Sequence, residues 1–116
     1  LLKQLAADKR SFDVIILDPP AFIKTRRDIS EGSMAYRRLN QHALHLLAPG
    51  GLLVSASCSW HMSRDMLLEQ VVRAASHAGK TLQLLGEGHQ DIDHPIHPSI
   101  PENAYLKSLF LRNLPL

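Results

Sequence analysis

Cysteine occurs once in this chain, at Cys58. No disulfide can form within it, and no second thiolate is present to build a thiolate zinc site. That economy favours a reducing, cytoplasmic setting. No stretch approaches the roughly 18 consecutive apolar residues of a membrane span, and no charged-then-apolar leader precedes a small-residue cleavage site. The expectation is a soluble chain with no membrane partner. No Gly-x-Gly pattern opens a helix, so a glycine-rich phosphate or cofactor loop is missing from these 116 residues. Neither an internal repeat nor a low-complexity segment is found. The excess of charge is slight, +2 with the histidines neutral, which suits a polyanionic partner without selecting one.

What is present is enough apolar residue, 45% of the chain, for a single core and too little length for a second domain. The chain begins at Leu1, inside a segment where Leu1, Leu2, Leu5 and Ala6 have helical spacing. A helix is expected over 1–9, as part of a longer protein. Residues 12–17 (FDVIIL) form a nearly continuous β-branched run, the mark of a strand buried on both faces of a parallel sheet. Asp18, Pro19 and Pro20 end it, because proline cannot donate to a sheet ladder. A helix is expected over 35–47, with Leu39, Ala43, Leu46 and Leu47 on its apolar face, closing at Ala48-Pro49-Gly50-Gly51. A strand over 52–57 leads to Cys58, Ser59 and Trp60. Ser63 is suited to cap a helix running to about Ala78, and Gly79 to stop it. A strand over 81–85, a loop over 86–102 rich in Gly, His, Asp and Pro, and a last strand over 105–111 complete the chain.

The fold class is therefore α/β, an alternating plan with right-handed crossovers, parallel for the most part and antiparallel at its last strand. Ligands of such sheets collect beyond the carboxyl ends of the strands. Two unusual motifs fall at such ends: Asp18-Pro19-Pro20 and Ser57-Cys58-Ser59.

Four pieces, FDVIILDPPAF (12–22), APGGLLVSASCS (48–59), DHP (93–95) and PENAYLK (101–107), resemble in order and spacing the large-subunit ribosomal-RNA cytosine-5 methyltransferases. In that family a PUA domain precedes a Rossmann-like methyltransferase domain. Asp-Pro-Pro alone also marks amino-directed methyltransferases, and Pro-Gly-Gly before a strand is common to the whole superfamily; the set of four is what carries the resemblance. It implies that residues 1–116 are one partial domain, strands four to seven of a seven-stranded class I sheet. The first three strands, with the glycine-rich loop and the ribose-binding acid, would be missing. The implied cofactor is S-adenosylmethionine, with its site incomplete here, and the implied partner is ribosomal RNA.

The resemblance gives both strand-end motifs a chemistry. Carbon 5 of cytosine is a poor nucleophile until a thiolate adds to carbon 6, and Cys58 is the thiol on hand. Its plainer reading is a small buried hydrophobe. Asp18 would stand close to methyl donor and target base, or else cap the turn after its strand. Pro19 and Pro20 would wall a flipped base, and Phe22 would stack on that base or anchor the core. The family has lysine where this chain has Ala21, which removes a cation from beside the substrate. Arg26, Arg27, Arg37 and Arg38 would meet phosphates or form a solvated face. His89, His94 and His97 show no ordered metal-ligand spacing, so no metal is expected. Tyr105 and Lys107 read as fold residues. An amino-group methyltransferase that dispenses with Cys58, or a noncatalytic α/β interaction module, remain as alternatives. With half of the sheet missing, the isolated chain is expected to lack turnover and to self-associate as a dimer through the edge at 12–17.

Overall fold

The computed structural model describes residues 11–23, 25–59, 61–89 and 107–114. The helix expected over 1–9, the DHP segment, His94, His97 and Tyr105 lie outside these. Among the described residues four strands and two α-helices follow in the order β1 (Phe12–Leu17), α1 (Ile29–Leu46), β2 (Leu47–Ser57), α2 (Arg64–Ala78), β3 (Thr81–His89) and β4 (Lys107–Leu114), with one 3-10 turn at Arg26–Asp28 before α1. The sheet order is β1-β2-β4-β3. β1 runs parallel to β2, and β4 runs antiparallel to both β2 and β3. β1, β2 and β3 therefore share one direction and β4 alone opposes them, as expected.

Alternation decides which side of this sheet is covered. On β4, Lys107, Leu109, Leu111 and Asn113 are buried, and their register partners on β2 include Ser57, Ser55 and Leu53, buried likewise. Leu53, Leu109 and Leu111 join Tyr36, Ala43 and Leu44 of α1 and Leu67, Val71 and Ala74 of α2 in one core. A fully buried leucine in such a core stabilises the fold by about 1.5–3 kcal/mol. The other side is different. Val14 is 55% and Ile16 68% exposed, so β1 is not buried on both faces among the described residues.

α2 has the ends that the sequence suggests. The Ser63 hydroxyl accepts from the Met66 N–H at 3.1 Å, and Gly79 adopts φ 69°, the left-handed conformation that glycine takes at little cost. Elsewhere the boundaries move. α1 starts at Ile29, not residue 35, because Thr25 and Asp28 prepare its first turn: the Asp28 carboxylate accepts from the Thr25 N–H at 3.3 Å and from its hydroxyl at 3.1 Å. The buried face of α1 is Gly32, Tyr36, Asn40, Ala43, Leu44 and Leu46, with Leu39 only partly covered. β2 starts at Leu47 and carries the Pro-Gly-Gly as an irregularity, since Phe12 pairs with Leu47 but Val14 with Leu52. The Asn113 amide donates to the carbonyls of Leu47 and Ala48 at 3.3 and 3.2 Å, satisfying acceptors that the irregular stretch offers. β3 continues to His89 where a loop was expected from residue 86. Gly88 serves packing, not a turn: a Cβ there would run into the Ser108 hydroxyl and come within 3.3 Å of the Phe110 ring. β4 likewise extends to Leu114, beyond the expected end at residue 111.

Candidate functional site at the ends of two parallel strands

β1 and β2 are parallel neighbours in which Leu17 pairs with Ser55, so the residues following them emerge at one edge of the sheet. Asp18 comes directly after β1 and is exposed; Pro19 is half-buried and Pro20 exposed. Phe22 is half-buried, its ring edge-on to that of Tyr36 with centroids 4.8 Å apart, and it packs against the core. In this structure it acts as an anchor for the loop. Ile23, 1% exposed, fixes the end of that loop and donates its N–H to the Ser59 hydroxyl at 3.3 Å.

The second motif is built around buried hydroxyls. Ser57 and Ser59 are 0% and 1% exposed, whereas Cys58 between them is half-buried with a free thiol. The Ser57 hydroxyl donates to the Tyr36 hydroxyl at 2.9 Å, the Tyr36 and Ser59 hydroxyls share a hydrogen bond of 2.7 Å, and the Ser59 N–H donates to the Ser57 hydroxyl at 3.1 Å. Below this cluster the Ser55 hydroxyl donates to Asn40 Oδ1 at 2.7 Å, and the Asn40 amide donates to the Tyr36 carbonyl at 2.7 Å. A buried, mutually satisfied network of this kind fixes geometry, because each unpaired member would be costly. With its neighbours on either side tied inward, Cys58 is held at the edge.

Lys107 completes the arrangement. It lies opposite Ser57 in the β2–β4 register, is 7% exposed, and donates from Nζ to the Ser59 carbonyl at 2.6 Å. Burial pushes its ammonium down from the ordinary 10.5 to about 8, and the charge of Cys58 opposes that fall. Lys107, expected as a fold residue, is bonded to a backbone carbonyl of the Cys58 motif. Tyr36 and Asn40, which no sequence expectation names, are bonded into the same cluster. Their signal was a tyrosine and an asparagine four residues apart within an otherwise apolar helical face.

The two motifs thus follow neighbouring parallel strands, and the hydrogen bond between Ile23 and Ser59 ties the loop after Asp18-Pro19-Pro20 to the Cys58 motif. The arginines are not gathered in the same way. Arg26 and Arg27 sit exposed on a short turn, Arg38 is exposed on α1, and Arg37 is half-buried and donates to the Met34 sulfur at 2.6 Å. Among the described residues no group of His, Cys, Asp and Glu could hold a metal ion, and no helix is long and apolar enough to cross a membrane.

Relatives with curated names give this edge a context. The chain is 39% identical over 112 residues to ribosomal RNA large subunit methyltransferase I of Shewanella frigidimarina, covering 97% of the chain and 28% of that protein. The proteins of the same name from Alteromonas mediterranea and Cronobacter sakazakii are 36% and 37% identical, over 93% and 92% of the chain and 27% of each protein. The chain is homologous to one stretch of these methyltransferases. It spans a little over a quarter of their length. No family model matches it. Among solved structures, a protein of Streptococcus mutans described as a SAM-dependent methyltransferase superposes with a TM-score of 0.76 at 20% identity, over 96% of this chain and 28% of that one. A methyltransferase homologue of Pyrococcus horikoshii superposes with a TM-score of 0.62 at 21% identity, over 96% of this chain and 42% of that one. These two likenesses show a shared Rossmann-like α/β fold over the matched stretch.

Proposed function

We propose that this chain supplies the C-terminal strands of an S-adenosylmethionine-dependent enzyme that methylates carbon 5 of a cytosine in large-subunit ribosomal RNA, with Cys58 as nucleophile and Asp18 beside the reacting groups. The observation that carries the reading is the half-buried thiol of Cys58, fixed between two anchored serines at the sheet edge from which Asp18-Pro19-Pro20 also emerges. The names of the homologous proteins supply the substrate class.

The chemistry is the one that the family resemblance implies. The Cys58 thiolate adds to carbon 6 of the cytosine, forming an S–C bond and moving the ring electrons onto carbon 5, which then takes the methyl group. A base removes the proton from carbon 5, the S–C bond breaks, and the thiolate is restored. When bound, S-adenosylmethionine would supply the electrophilic methyl group, its bond to the cationic sulfur breaking to leave a neutral thioether. The residues present fit only one side of that molecule. Asp18, exposed after β1, suits a cationic group by charge, whereas the glycines with positive φ, Gly50 and Gly79, lie within β2 and after α2 and not at the edge where the two motifs emerge. Pro19 and Pro20 give the base a rigid wall, and Phe22 steadies that wall through Tyr36; Ala21 adds no cation there.

Residues 1–116 form one partial domain in this reading, active in the cytoplasm on RNA once the remaining strands of a longer protein are joined to it. Alone, the chain is expected to show no methyl transfer and no tight binding of S-adenosylmethionine by titration calorimetry; stoichiometric binding would overturn that expectation. Alone, it is also expected to dimerise along β1. The direct test of the chemistry is Cys58→Ala in the full-length protein, which should abolish 5-methylcytosine formation. Methylation that survives the substitution would favour an amino-directed enzyme working from Asp18-Pro19-Pro20.

A further inference from the structure

β4 brings one cation to a motif otherwise built of neutral groups. Lys107 stands opposite Ser57 by register, is 7% exposed, and its Nζ is anchored 2.6 Å from the carbonyl oxygen of Ser59. Among the described residues that carbonyl is its hydrogen-bond acceptor, and the described ion pairs of carboxylates are made by Arg64 and Arg73 instead. A buried ammonium given only a neutral acceptor is costly unless an opposite charge forms beside it. Cys58 lies between Ser57, which Lys107 faces in register, and Ser59, whose carbonyl Lys107 binds. Among the described residues the Tyr36 hydroxyl is the other titratable group bonded to this motif, through the Ser57 and Ser59 hydroxyls.

We propose that Lys107 is the positioning residue for the Cys58 thiol: its ammonium, pinned to the Ser59 carbonyl, is the counter-ion that favours the thiolate at the end of β2. The inference rests on Cys58 being the nucleophile and names the group that readies it. A thiolate, not a thiol, attacks carbon 6, and a fixed neighbouring cation raises the fraction of thiolate at neutral pH. Being bound to the backbone of the Cys58 motif, this cation needs no substrate to bring it into place.

Two effects of Lys107 must be separated, its hydrogen bond to Ser59 and its charge on Cys58. Lys107→Gln keeps an N–H donor and removes the charge, whereas Lys107→Arg keeps both. The measurement is the rate of Cys58 alkylation by iodoacetamide as a function of pH, made on the chain with its fold checked by circular dichroism. In Lys107→Gln the midpoint of the profile is expected to rise by about one pH unit or more, roughly a tenfold loss of reactivity at neutral pH; in Lys107→Arg it should stay near that of the unaltered chain. Superimposed profiles for the unaltered chain and Lys107→Gln would overturn the proposal.

A second measurement needs no substitution. Coupling between two groups is reciprocal, so blocking Cys58 by carbamidomethylation should lower the titration midpoint of the Lys107 side chain, followed by NMR; an unmoved midpoint would overturn the proposal equally. Neither readout involves methyl transfer. Failure here would remove Lys107 and leave Cys58 as nucleophile, while methylation surviving Cys58→Ala would remove the nucleophile whatever Lys107 does to the thiol.

Discussion

Ser59 joins parts of the chain that are far apart in sequence: Ile23 and Tyr36 reach its hydroxyl, and Lys107 its carbonyl. Such contacts explain what single residues disclosed in advance. The positions of Asp18 and Cys58 were legible because each follows a recognisable strand, and strand ends are where α/β sheets gather ligands. The contacts of Tyr36 and Lys107 were not, since they depend on how α1 and β4 pack against β2, which no local pattern encodes. Phe22 was legible as an aromatic beside the motif, but only the structure shows its ring engaged with Tyr36. The buried state of Lys107 has a consequence for stability. Its ammonium titrates at about 8 in the folded chain against an ordinary 10.5, so between these values the folded state holds fewer protons than the unfolded one, and stability rises with pH. Below about 8 both states are protonated and the cost of burying the charge is fully present. In urea titrations, the unaltered chain should therefore gain stability relative to Lys107→Met as pH is raised from 8 toward 10.5. A difference that is flat or falls over this window would contradict the assignment.

Elements were read more securely than their limits. The strand over 12–17 and the capped helix ending before Gly79 stand where hydrophobic pattern and cap residues put them. α1 was shortened in the sequence reading because its first turns carry Ser30, Glu31, Gly32 and Ser33, poor material for an apolar stripe. Gly32 has a packing reason to be there. A Cβ at that position would run into Ile23 Cγ1 and come within 3.0 Å of the Phe22 carbonyl oxygen, so the absence of a side chain is what lets the loop after Asp18-Pro19-Pro20 lie against the helix. Gly32→Ala trades better helix propensity for that clash. We expect a net loss of about 1–3 kcal/mol in urea unfolding, with increased protease cleavage in the loop at 19–23. A variant as stable as the unaltered chain would show that the loop yields without penalty.

For the whole molecule, the single reversed strand was foreseen and so was an uncovered apolar strand at 12–17, whereas the order β1-β2-β4-β3 was not, because an apolar run promises burial without saying which strand lies beside it. Val14 and Ile16 stand exposed on a strand whose described pairing is to β2 alone, the kind of edge that recruits another strand. Sedimentation equilibrium should find the chain dimeric at high concentration and Ile16→Lys shifted toward monomer; a monodisperse monomer throughout would reject dimerisation. Beyond association, the account concerns chemistry at the edge where β1 and β2 end. That claim is tested most directly in the full-length protein by digesting methylated ribosomal RNA to nucleosides and quantifying 5-methylcytosine by mass spectrometry, with and without Cys58→Ala. The account predicts loss of the product by at least a thousandfold, roughly 4 kcal/mol of barrier, with S-adenosylmethionine affinity nearly unchanged, since the thiol acts on the base. Turnover within a few fold of the unaltered enzyme would contradict it.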